Sequence, residues 1–216
     1  MKVLFADLPA GCSAVPDRWM SGMDQGKRKR IERLRFETDK AAAVTAHRLL
    51  CRGLKEIYGI VPSVDGWGEG KYGKPYLKGR ENVHFSISHS GGIAMCAFHD
   101  TEVGADIETV RAVGEGVARR IMSEDEWQAY NAAQKDMGLF FKIWTLKEAF
   151  LKYSGTGIGS LDVITVYPQC GAIRSNAKDC RFALIDSIPG YQAAVCTRGN
   201  FELCAEFVTE SGLEDF

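Results

Sequence analysis

Short apolar runs and helically spaced apolar positions divide the chain into predicted strands and helices. Strands are predicted at residues 3–7, 83–88, 93–98, 103–108, 163–167, 182–185, 191–197 and 201–208, the last four of them antiparallel. Helices are predicted over residues 27–36, 39–58 and 117–152, with the last one divided near Gly138. Because strands and helices do not alternate regularly, this order indicates an α+β fold rather than a doubly wound sheet. The last sixteen residues contain five acids and no base, which predicts a solvated or frayed end.

The composition is that of an ordinary soluble globular protein. Of 216 residues, 45% are hydrophobic and 25% are charged, and 27 basic against 28 acidic residues leave a net charge of -1. This balance argues against nucleic acid as the partner. Asp7 and Pro9 interrupt the first apolar run, and no run approaches about 18 residues, so neither a signal peptide nor a membrane partner is expected. Seven cysteines, an odd number without a C-x-x-C pair, indicate reduced thiols and a cytoplasmic location.

A basic segment over residues 27–40 holds seven basic and three acidic side chains. Ile31 and Leu34 are spaced to face inward, as in a solvated amphipathic helix. The excess of one sign equally favours a cationic lip for an anionic ligand, and both interpretations stay open. A nucleic-acid site on this cluster is the least favoured interpretation, given the net charge of the chain.

Two carboxylates, Asp106 and Glu108, stand two residues apart on the strand predicted at 103–108. Side chains two apart share a face of a strand, about 6–7 Å from each other, and Ile107 between them points the other way. Such carboxylates repel each other unless a cation lies between them, and oxygen ligands suit Mg²⁺ or Mn²⁺. The alternative is an exposed strand face with two solvated acids, which the apolar neighbours at 103–105 make less favourable.

A nearly all-apolar helix around residues 139–153 carries Lys147, Glu148 and Lys152. A helix that is apolar on all sides is buried, so these charges must be paired or must face a cleft. Glu148 and Lys152 are four residues apart and share one face. They form either a surface ion pair or a third metal carboxylate beside a phosphate-binding ammonium.

A strand that ends in hydroxyls, an imidazole and two glycines lies at residues 85–92. Alternation directs Phe85 and Ile87 inward and the serine hydroxyls outward. Ser88, His89 and the backbone N–H groups of the turn would suit an oxyanion or a phosphate, whereas a polar hairpin turn is the plain alternative. A Ser–His hydrolase dyad is disfavoured because neighbouring side chains on a strand point apart.

Together these groups suit the binding of a pyrophosphate with a divalent metal. Three carboxylates, nearby lysines and a hydroxyl–imidazole cradle indicate a phosphoryl-type transfer. The glycine pattern of the P-loop, G-x-x-x-x-G-K-[ST], is absent from the sequence.

Four motifs, in this order and at this spacing, resemble those of the 4′-phosphopantetheinyl transferases. The G-K-P loop is matched by residues 73–75 and the F-x-I-S-H-S strand by residues 85–90. The G-x-D-I-E strand is matched by residues 104–108 and the W-x-x-K-E-A-x-x-K helix by residues 144–152. The resemblance runs from about residue 27 to about residue 196 and points to the larger type of these enzymes, which activates surfactin synthetase and similar megasynthases.

The resemblance implies an enzyme that transfers the 4′-phosphopantetheine group of coenzyme A to a serine of an apo acyl or peptidyl carrier protein and releases adenosine 3′,5′-bisphosphate. It implies a monomer of two pseudo-symmetric α+β halves, here residues 1–100 and 101–216, with the active site in the cleft between them. The alternative is a non-catalytic coenzyme A or carrier-protein binding module of the same fold. Such carrier proteins are acidic, so the cluster at 27–35 would either steer them or face coenzyme A.

Motif by motif, the resemblance also implies roles for single residues. The ligands of Mg²⁺, with Mn²⁺ as the alternative ion, would be Asp106, Glu108 and Glu148. The residues that bind coenzyme A would be Lys74, Ser88, His89, Lys152, Lys27 and Arg30. The catalytic residues would be Glu126, Lys152 and Glu148.

Two positions leave questions open. Glu126 matches a family glutamate that helps to deprotonate the serine, but Ser123 and Glu126 also form the pattern of a capping box. At residues 41–43 three alanines stand where the family carries a basic residue for the 3′-phosphate of coenzyme A. Lys40, Arg48 or the cluster at 27–35 would have to replace it; otherwise coenzyme A binds more weakly, or dephospho-coenzyme A is tolerated.

Overall fold

The computed structural model describes residues 1–9, 17–157, 164–169 and 172–214, and the chain divides into two units. The first unit comprises Met1–Thr101 together with Phe201–Phe216, and the second comprises Glu102–Asn200. The predicted halves, 1–100 and 101–216, differ from these units in the C-terminal segment, which belongs with the first unit.

Helices and strands occur in both units, in keeping with the predicted α+β class. In chain order the strands are β1 (Lys2–Asp7), β2 (Trp67–Glu69), β3 (Pro75–Leu77), β4 (His84–Ser90), β5 (Ile93–His99), β6 (Val103–Thr109), β7 (Val166–Gln169), β8 (Ala172–Ser175), β9 (Cys180–Ile185), β10 (Tyr191–Arg198) and β11 (Cys204–Phe207). The α-helices are α1 (Gln25–Glu32), α2 (Glu37–Tyr58), α3 (Glu115–Ile121), α4 (Glu124–Ala132), α5 (Met137–Ser154) and α6 (Glu210–Glu214). Two short 3₁₀ helices lie at Asp17–Met20 and Val64–Gly66.

The long helix α2 covers the main sheet of the first unit. The sheet has the order β11-β1-β5-β4, in which β5 is antiparallel to both β1 and β4. Leu49, Leu50 and Leu54 of α2 are fully buried in the core of this unit, as expected for the apolar stripe of an amphipathic helix. The bounds of α2 confirm the helix predicted over 39–58.

A tight hairpin joins β4 and β5, with Ser90 opposite Ile93 and a φ of 55° at Gly91, where glycine is favoured. Both strands confirm the prediction, and Phe85 is buried as expected. Ser86 and Ser88, which were expected to face outward, are only 5% and 8% exposed, so this expectation is wrong. The pattern of a single strand cannot show that its second face is also covered.

The second unit pairs α5 with a three-stranded antiparallel sheet of order β6-β10-β9. Its core includes the buried side chains of Phe140, Phe141 and Leu146 from α5. A separate antiparallel pair is formed by β7 and β8. Here β7 corresponds to the strand predicted at 163–167, of which residue 163 lies outside the described residues.

The helical stretch predicted over 117–152 is three helices, α3, α4 and α5. Ser123 caps α4 by accepting a hydrogen bond from the backbone N–H of Glu126. Asp136 caps α5 in the same way, through the N–H groups of Gly138 and Leu139. Each cap begins a new helix. The helical stretch is therefore divided before α4 at Ser123 and before α5 at Asp136, the second division lying near the predicted Gly138.

The described part of the C-terminal segment is built into the first unit. Most of its side chains are exposed, as expected for a solvated end, but it forms β11 and α6 instead of a frayed end. β11 runs parallel to β1, not antiparallel as predicted. Leu213 of α6 is fully buried, and its carbonyl oxygen accepts two hydrogen bonds from Arg48, at 2.7 and 3.0 Å. Arg52 donates to the carbonyl oxygen of Gly212 at 2.6 Å. Cations from α2 thus bind the carbonyls of an acidic segment, which its composition alone does not reveal.

Two expectations from composition can be compared with the structure. No helix among the described residues has both the length and the apolar character needed to cross a membrane. The five cysteines in the described ranges form no disulfide bond; four are buried and Cys204 is exposed. Cys12 and Cys170 lie outside those ranges.

Candidate functional site

In the second unit, one face of β6 lies against α5 at the carboxylate pair. A Cβ atom added to Gly104 would lie 1.8 Å from the carbonyl oxygen of Ala149, so a glycine is needed for this close approach. Asp106 and Glu108 follow at intervals of two and share that face. Ile107 between them is fully buried. The pair therefore faces α5 instead of bulk solvent.

Asp106 is paired with a lysine of α5. Lys152 Nζ lies 2.8 Å from Asp106 Oδ1, and Asp106 is 4% exposed. The side chain of Lys152 is 30% exposed, so its ammonium group reaches solvent at one side of this pair. Such an ammonium can donate to an incoming anion while it holds the carboxylate.

Glu148, one turn before Lys152 on α5, is a buried acid with an unsatisfied oxygen. It is 8% exposed, and its Oε1 atom is buried without a hydrogen-bond partner among the described residues. Burial, followed by the charge of Asp106, raises the pKa of Glu148 to about 7, and Lys152 offsets part of this effect. A cation at this position would stabilise the ionised carboxylate.

Glu108 lies beside the same helix and is oriented by two donors. Trp144 Nε1 donates to Glu108 Oε1 at 3.3 Å, and Arg111 Nη1 donates to Oε2 at 3.3 Å. The structure thus brings Asp106, Glu108 and Glu148 to one side of the second unit, together with Lys152.

These side chains fit a divalent metal ion in their chemistry. They supply oxygen donors, which Mg²⁺ prefers, and the buried Glu148 oxygen is a donor that a cation would satisfy. Within the described ranges, no group of three or more His, Cys, Asp and Glu side chains is arranged to hold a metal ion. The ligand set of Asp106, Glu108 and Glu148 therefore stays a prediction.

Glu126 lies in a buried hydrogen-bond network. It is 1% exposed; its Oε1 accepts from the Val166 N–H at 2.7 Å, and its Oε2 accepts from the Ser123 N–H at 2.7 Å. Lys147 Nζ, also fully buried, lies 2.7 Å from the same Oε2. The reciprocal capping box with Ser123 is present. These contacts support the capping alternative and argue against a role as base, because both carboxylate oxygens are engaged.

A cavity of about 320 Å³ lies in the first unit and is lined by α1 and by residues 67–75. The charged residues that line it are Asp24, Lys27, Arg30 and Glu69. Arg30 is held by Glu69, with 2.8 Å between Nη2 and Oε2. Burial lowers the pKa of Lys27. Lys27 is thus the lining cation that an anionic ligand would stabilise most.

The G-K-P loop and β4 contribute unequally to this cavity. Gly73, Pro75 and Ile87 line it, whereas Lys74 is not a lining residue in the part of the chain that the structure describes. His89 lies two residues after Ile87, so it shares the cavity face of β4 and is exposed. Ser88 lies on the opposite face and is buried. The structure therefore does not bring Ser88 and His89 to one side.

Both neighbouring cations predicted to replace the basic residue missing at 41–43 already have partners in the structure. Ala41 and Ala42 are buried on α2. Lys40 pairs with Glu37 at 2.7 Å. Arg48 is 3% exposed and binds the C-terminal segment. Of the predicted substitutes, the cluster on α1 is the one that reaches the cavity.

Comparisons with known proteins show the family to which the chain is similar. A family model for the 4′-phosphopantetheinyl transferase superfamily matches residues 102–196, the range that contains β6 and α5. The 4′-phosphopantetheinyl transferase Sfp of Bacillus subtilis is 30% identical over 83% of this chain and 84% of the relative. The transferase psf-1 of Bacillus pumilus is 32% identical over 80% of this chain and 77% of the relative.

The chain belongs to the 4′-phosphopantetheinyl transferase superfamily. A further Bacillus subtilis transferase is 29% identical over 91% of this chain and 92% of its own length. Among solved structures, the holo-[acyl-carrier-protein] synthase (AcpS) of Thermotoga maritima matches at 25% identity over 44% of this chain and 61% of that chain, with a TM-score of 0.38.

Two contacts, one in each unit, were not predicted from the sequence. The ion pair between Arg30 and Glu69 joins residues 39 apart, and no pattern in the sequence links them. The partner of Lys147 was also not identified. The sequence did indicate that Lys147 needs a buried partner, because it is a charged residue on a helix that is apolar on all sides.

Proposed function

We propose that this member of the superfamily transfers the 4′-phosphopantetheine group of coenzyme A to a serine of an apo acyl or peptidyl carrier protein. The other product is adenosine 3′,5′-bisphosphate. The observation that carries the proposal is the group of Asp106, Glu148 and Lys152. Partly exposed Lys152 pairs with buried Asp106, and the charges of both act on the buried carboxyl of Glu148, one turn away on α5. That arrangement suits a pyrophosphate and a cation better than it suits a neutral ligand.

Lys152 is assigned to the pyrophosphate of coenzyme A. Its ammonium group already donates to Asp106 Oδ1 and reaches solvent, so it can donate to a phosphate oxygen at the same time. Asp106, Glu108 and Glu148 would hold Mg²⁺, or Mn²⁺, which when bound neutralises charge on the pyrophosphate. Trp144 and Arg111 fix the carboxylate of Glu108 for this role.

The nucleotide end of coenzyme A is assigned to the cavity of the first unit. Lys27 offers a buried ammonium, and Trp67 and Pro75 offer apolar surface for a base. Since Arg30 is paired with Glu69, its contribution requires exchange of that partner. His89 lies on the cavity face of β4 and is assigned to a phosphate. Ser88 is buried on the other face of β4, and Lys74 is not among the residues that line the cavity.

In the proposed reaction, the carrier serine oxygen attacks the β-phosphorus of coenzyme A. A new bond forms between that oxygen and phosphorus, and the bond between the β-phosphorus and the bridging oxygen breaks. The bridging oxygen leaves with adenosine 3′,5′-bisphosphate, and the serine proton is released. Lys152 stabilises the negative charge that develops on the phosphate oxygens, and positioning supplies much of the remaining acceleration.

Intact-protein mass spectrometry tests this proposal. The protein is mixed with an apo carrier protein, coenzyme A and Mg²⁺, and the reaction is repeated with EDTA. We expect the carrier to gain the mass of one phosphopantetheine, and we expect EDTA and the Asp106→Ala variant each to abolish the gain. The matched control Asp179→Ala, at an exposed turn of the second unit, should retain activity.

The alternative is a binding module without activity. Calorimetric binding of coenzyme A without transfer to any of a panel of fatty-acid, polyketide and peptide carriers would favour it. Wild-type turnover of Asp106→Ala would instead overturn the metal assignment. We further propose a cytoplasmic monomer that uses neither nucleic acid nor membrane. The balanced charge supports the proposal that nucleic acid is not a partner, and the free cysteines support the cytoplasmic location. The monomer rests on the family resemblance.

A further inference from the structure

An ion pair joins two of the elements that line the cavity of the first unit. Arg30 Nη1 of α1 donates to Glu69 Oε1 of β2 at 3.2 Å, and Arg30 Nη2 lies 2.8 Å from Glu69 Oε2. Both residues line the cavity. Two parallel contacts of this kind are the geometrically defined form of an arginine–carboxylate pair. The guanidinium of this lining residue is therefore already occupied by an anion of the chain itself.

The two carboxylates at the cavity differ in what they do for the fold. Asp24 begins α1, where its Oδ1 accepts from the backbone N–H of Lys27 at 2.9 Å. The carboxylate of Glu69 has Arg30 as its partner among the described residues. The side chains of Arg30 and Glu69 are 59% and 46% exposed, and an ion pair as exposed as this contributes little to stability. The role of Glu69 therefore concerns the cavity more than the fold.

The formal charges that line the cavity cancel. Among the described lining residues, Lys27 and Arg30 supply two cations, and Asp24 and Glu69 supply two carboxylates. An anionic ligand can use the guanidinium of Arg30 only after Glu69 has left it. That exchange is feasible, because the partly exposed carboxylate of Glu69 returns to water and is not left buried without a partner.

The G-K-P loop holds this internal anion in place. A Cβ atom added to Gly73 would lie 3.6 Å from Glu69 Oε1, which is ordinary van der Waals contact. The loop itself is closed by two backbone hydrogen bonds, from Gly70 N–H to Lys74 O at 2.8 Å and from Gly73 N–H to Gly70 O at 3.0 Å. The carboxylate of Glu69 thus contacts both α1 and a closed loop, so it is positioned to bind Arg30 again whenever a ligand leaves it.

We infer that Glu69 is a specificity-determining residue that competes with a phosphate of coenzyme A for Arg30. The inference rests on the proposed function and concerns the 3′-phosphate, which Lys27 and Arg30 would bind together, about one helical turn apart on α1. A donor with this phosphate displaces Glu69, whereas a donor without it leaves the pair intact. Because Arg30 then keeps a partner, loss of the phosphate weakens binding less than it would at an unpaired cation.

Isothermal titration calorimetry of the Glu69→Gln variant tests the inference without a carrier protein. The two probes are adenosine 3′,5′-bisphosphate and adenosine 5′-monophosphate, which differ in the 3′-phosphate. We expect the Kd for the bisphosphate to fall about fivefold, since one exposed ion pair no longer has to be broken, and the Kd for the monophosphate to stay within about 1.5-fold. In the transfer assay the KM for coenzyme A should fall by a similar factor, with kcat unchanged.

A double-mutant cycle shows whether Glu69 acts through Arg30. In an Arg30→Gln background, Glu69→Gln should leave the Kd for the bisphosphate unchanged, because there is no guanidinium left to compete for. The matched control Glu32→Gln removes an exposed carboxylate of α1 that pairs with Arg28 and is not among the described lining residues. Both Kd values should stay at wild type in that control, and thermal unfolding checks that each variant folds.

Three results would overturn the inference. An unchanged Kd for the bisphosphate in Glu69→Gln would show that there is no competition for Arg30. An equal fall of that Kd in the Arg30→Gln background would show a general effect of charge. Weaker binding of both nucleotides would show that Glu69 only positions the G-K-P loop.

The failure of the two proposals can be told apart. If the wild-type protein transfers phosphopantetheine and Glu69→Gln leaves the Kd for the bisphosphate unchanged, only the inference about Glu69 fails. If the wild-type protein modifies no carrier and binds neither nucleotide, the proposed function fails and the inference fails with it. If it modifies no carrier but the calorimetric changes are those expected, only the transfer reaction fails, and Glu69 still sets the affinity for the nucleotide.

Discussion

At the scale of single residues, the pair of Glu126 and Lys147 decides between two roles for the glutamate. Both side chains are fully buried, with 2.7 Å between Lys147 Nζ and Glu126 Oε2. Lys147 also donates to the carbonyl oxygen of Ile121 at 2.9 Å. A buried charge that loses its partner is costly, whereas a surface pair contributes little. If Glu126 is structural, its replacement should lower the free energy of unfolding; if it is a catalytic base, its replacement should lower kcat.

The variant Glu126→Gln should lower the free energy of unfolding by about 3 kcal/mol, because it leaves the ammonium of Lys147 buried without its carboxylate. Urea denaturation followed by circular dichroism measures this change. The combined variant Glu126→Gln with Lys147→Met should recover part of the loss. Glu124→Gln removes an exposed partner of Arg119 and should change stability by less than about 0.5 kcal/mol. Unchanged stability of Glu126→Gln, with a large loss of kcat, would support the base instead.

Lys27 is the residue at which the missing 3′-phosphate ligand can be tested. It lines the cavity, and Lys40 and Arg48 are engaged elsewhere. Lys27→Ala should raise the KM for coenzyme A about tenfold, since a charge-assisted hydrogen bond contributes about 1.5–3 kcal/mol. The KM for dephospho-coenzyme A should change much less.

Parallel assays with the two donors measure that difference. Lys178→Ala, an exposed cation of the second unit, should leave both KM values unchanged. An equal rise in the KM for coenzyme A and the KM for dephospho-coenzyme A would place Lys27 at a different part of the donor. The 3′-phosphate would then have no assigned ligand.

At the scale of elements, the contact between β6 and α5 sets the position of the carboxylates. Gly104 permits backbone contact, since an added Cβ atom would lie 1.8 Å from Ala149 O and 2.4 Å from Tyr153 N. Asp106 follows on the same face and meets Lys152 from α5. A shift of the helix would therefore separate the ammonium from the carboxylate.

Gly104→Ala should destabilise the protein by about 3 kcal/mol or more, because two backbone atoms must move. It should also abolish transfer in conditions where the variant is still folded. The control Gly116→Ala adds a methyl group in open space on α3 and should stabilise slightly, by about 0.5–1 kcal/mol. Thermal unfolding together with the carrier mass assay measures both effects. A Gly104→Ala variant with wild-type stability would show that the packing of α5 does not depend on its close backbone contact with Gly104.

Elements with a clear period were predictable from the sequence, and those that depend on distant contacts were not. The shared face of Asp106 and Glu108 was predicted because the side-chain period of any strand is two. The long helical stretch was predicted as helix, but its division at Asp136 depends on a local cap. The burial of Ser88 was missed because one strand's pattern does not report what covers its other face.

At the scale of the whole molecule, the path of the chain returns from the second unit to complete the first. β11 adds to the edge of the sheet beside β1, and α6 follows it. The acidic composition of this segment predicted a solvated end, yet Arg48 and Arg52 bind its carbonyl groups. Burial of Leu213 therefore links α6 to the stability of α2, whose apolar face forms part of the core of the first unit.

Leu213→Ala should lower the free energy of unfolding by about 3 kcal/mol, because it removes most of a fully buried side chain and leaves a cavity in its place. Leu203→Ala, at a position 38% exposed in the same segment, should cost less than about 1 kcal/mol. Hydrogen exchange read by mass spectrometry locates the effect: amides of β1 and α2 should exchange faster in Leu213→Ala, while those of β6 and β10 keep their protection. Equally faster amide exchange in both units would mean that the two units unfold together. Unchanged amide exchange in β1 and α2 would show that the C-terminal segment does not stabilise the first unit.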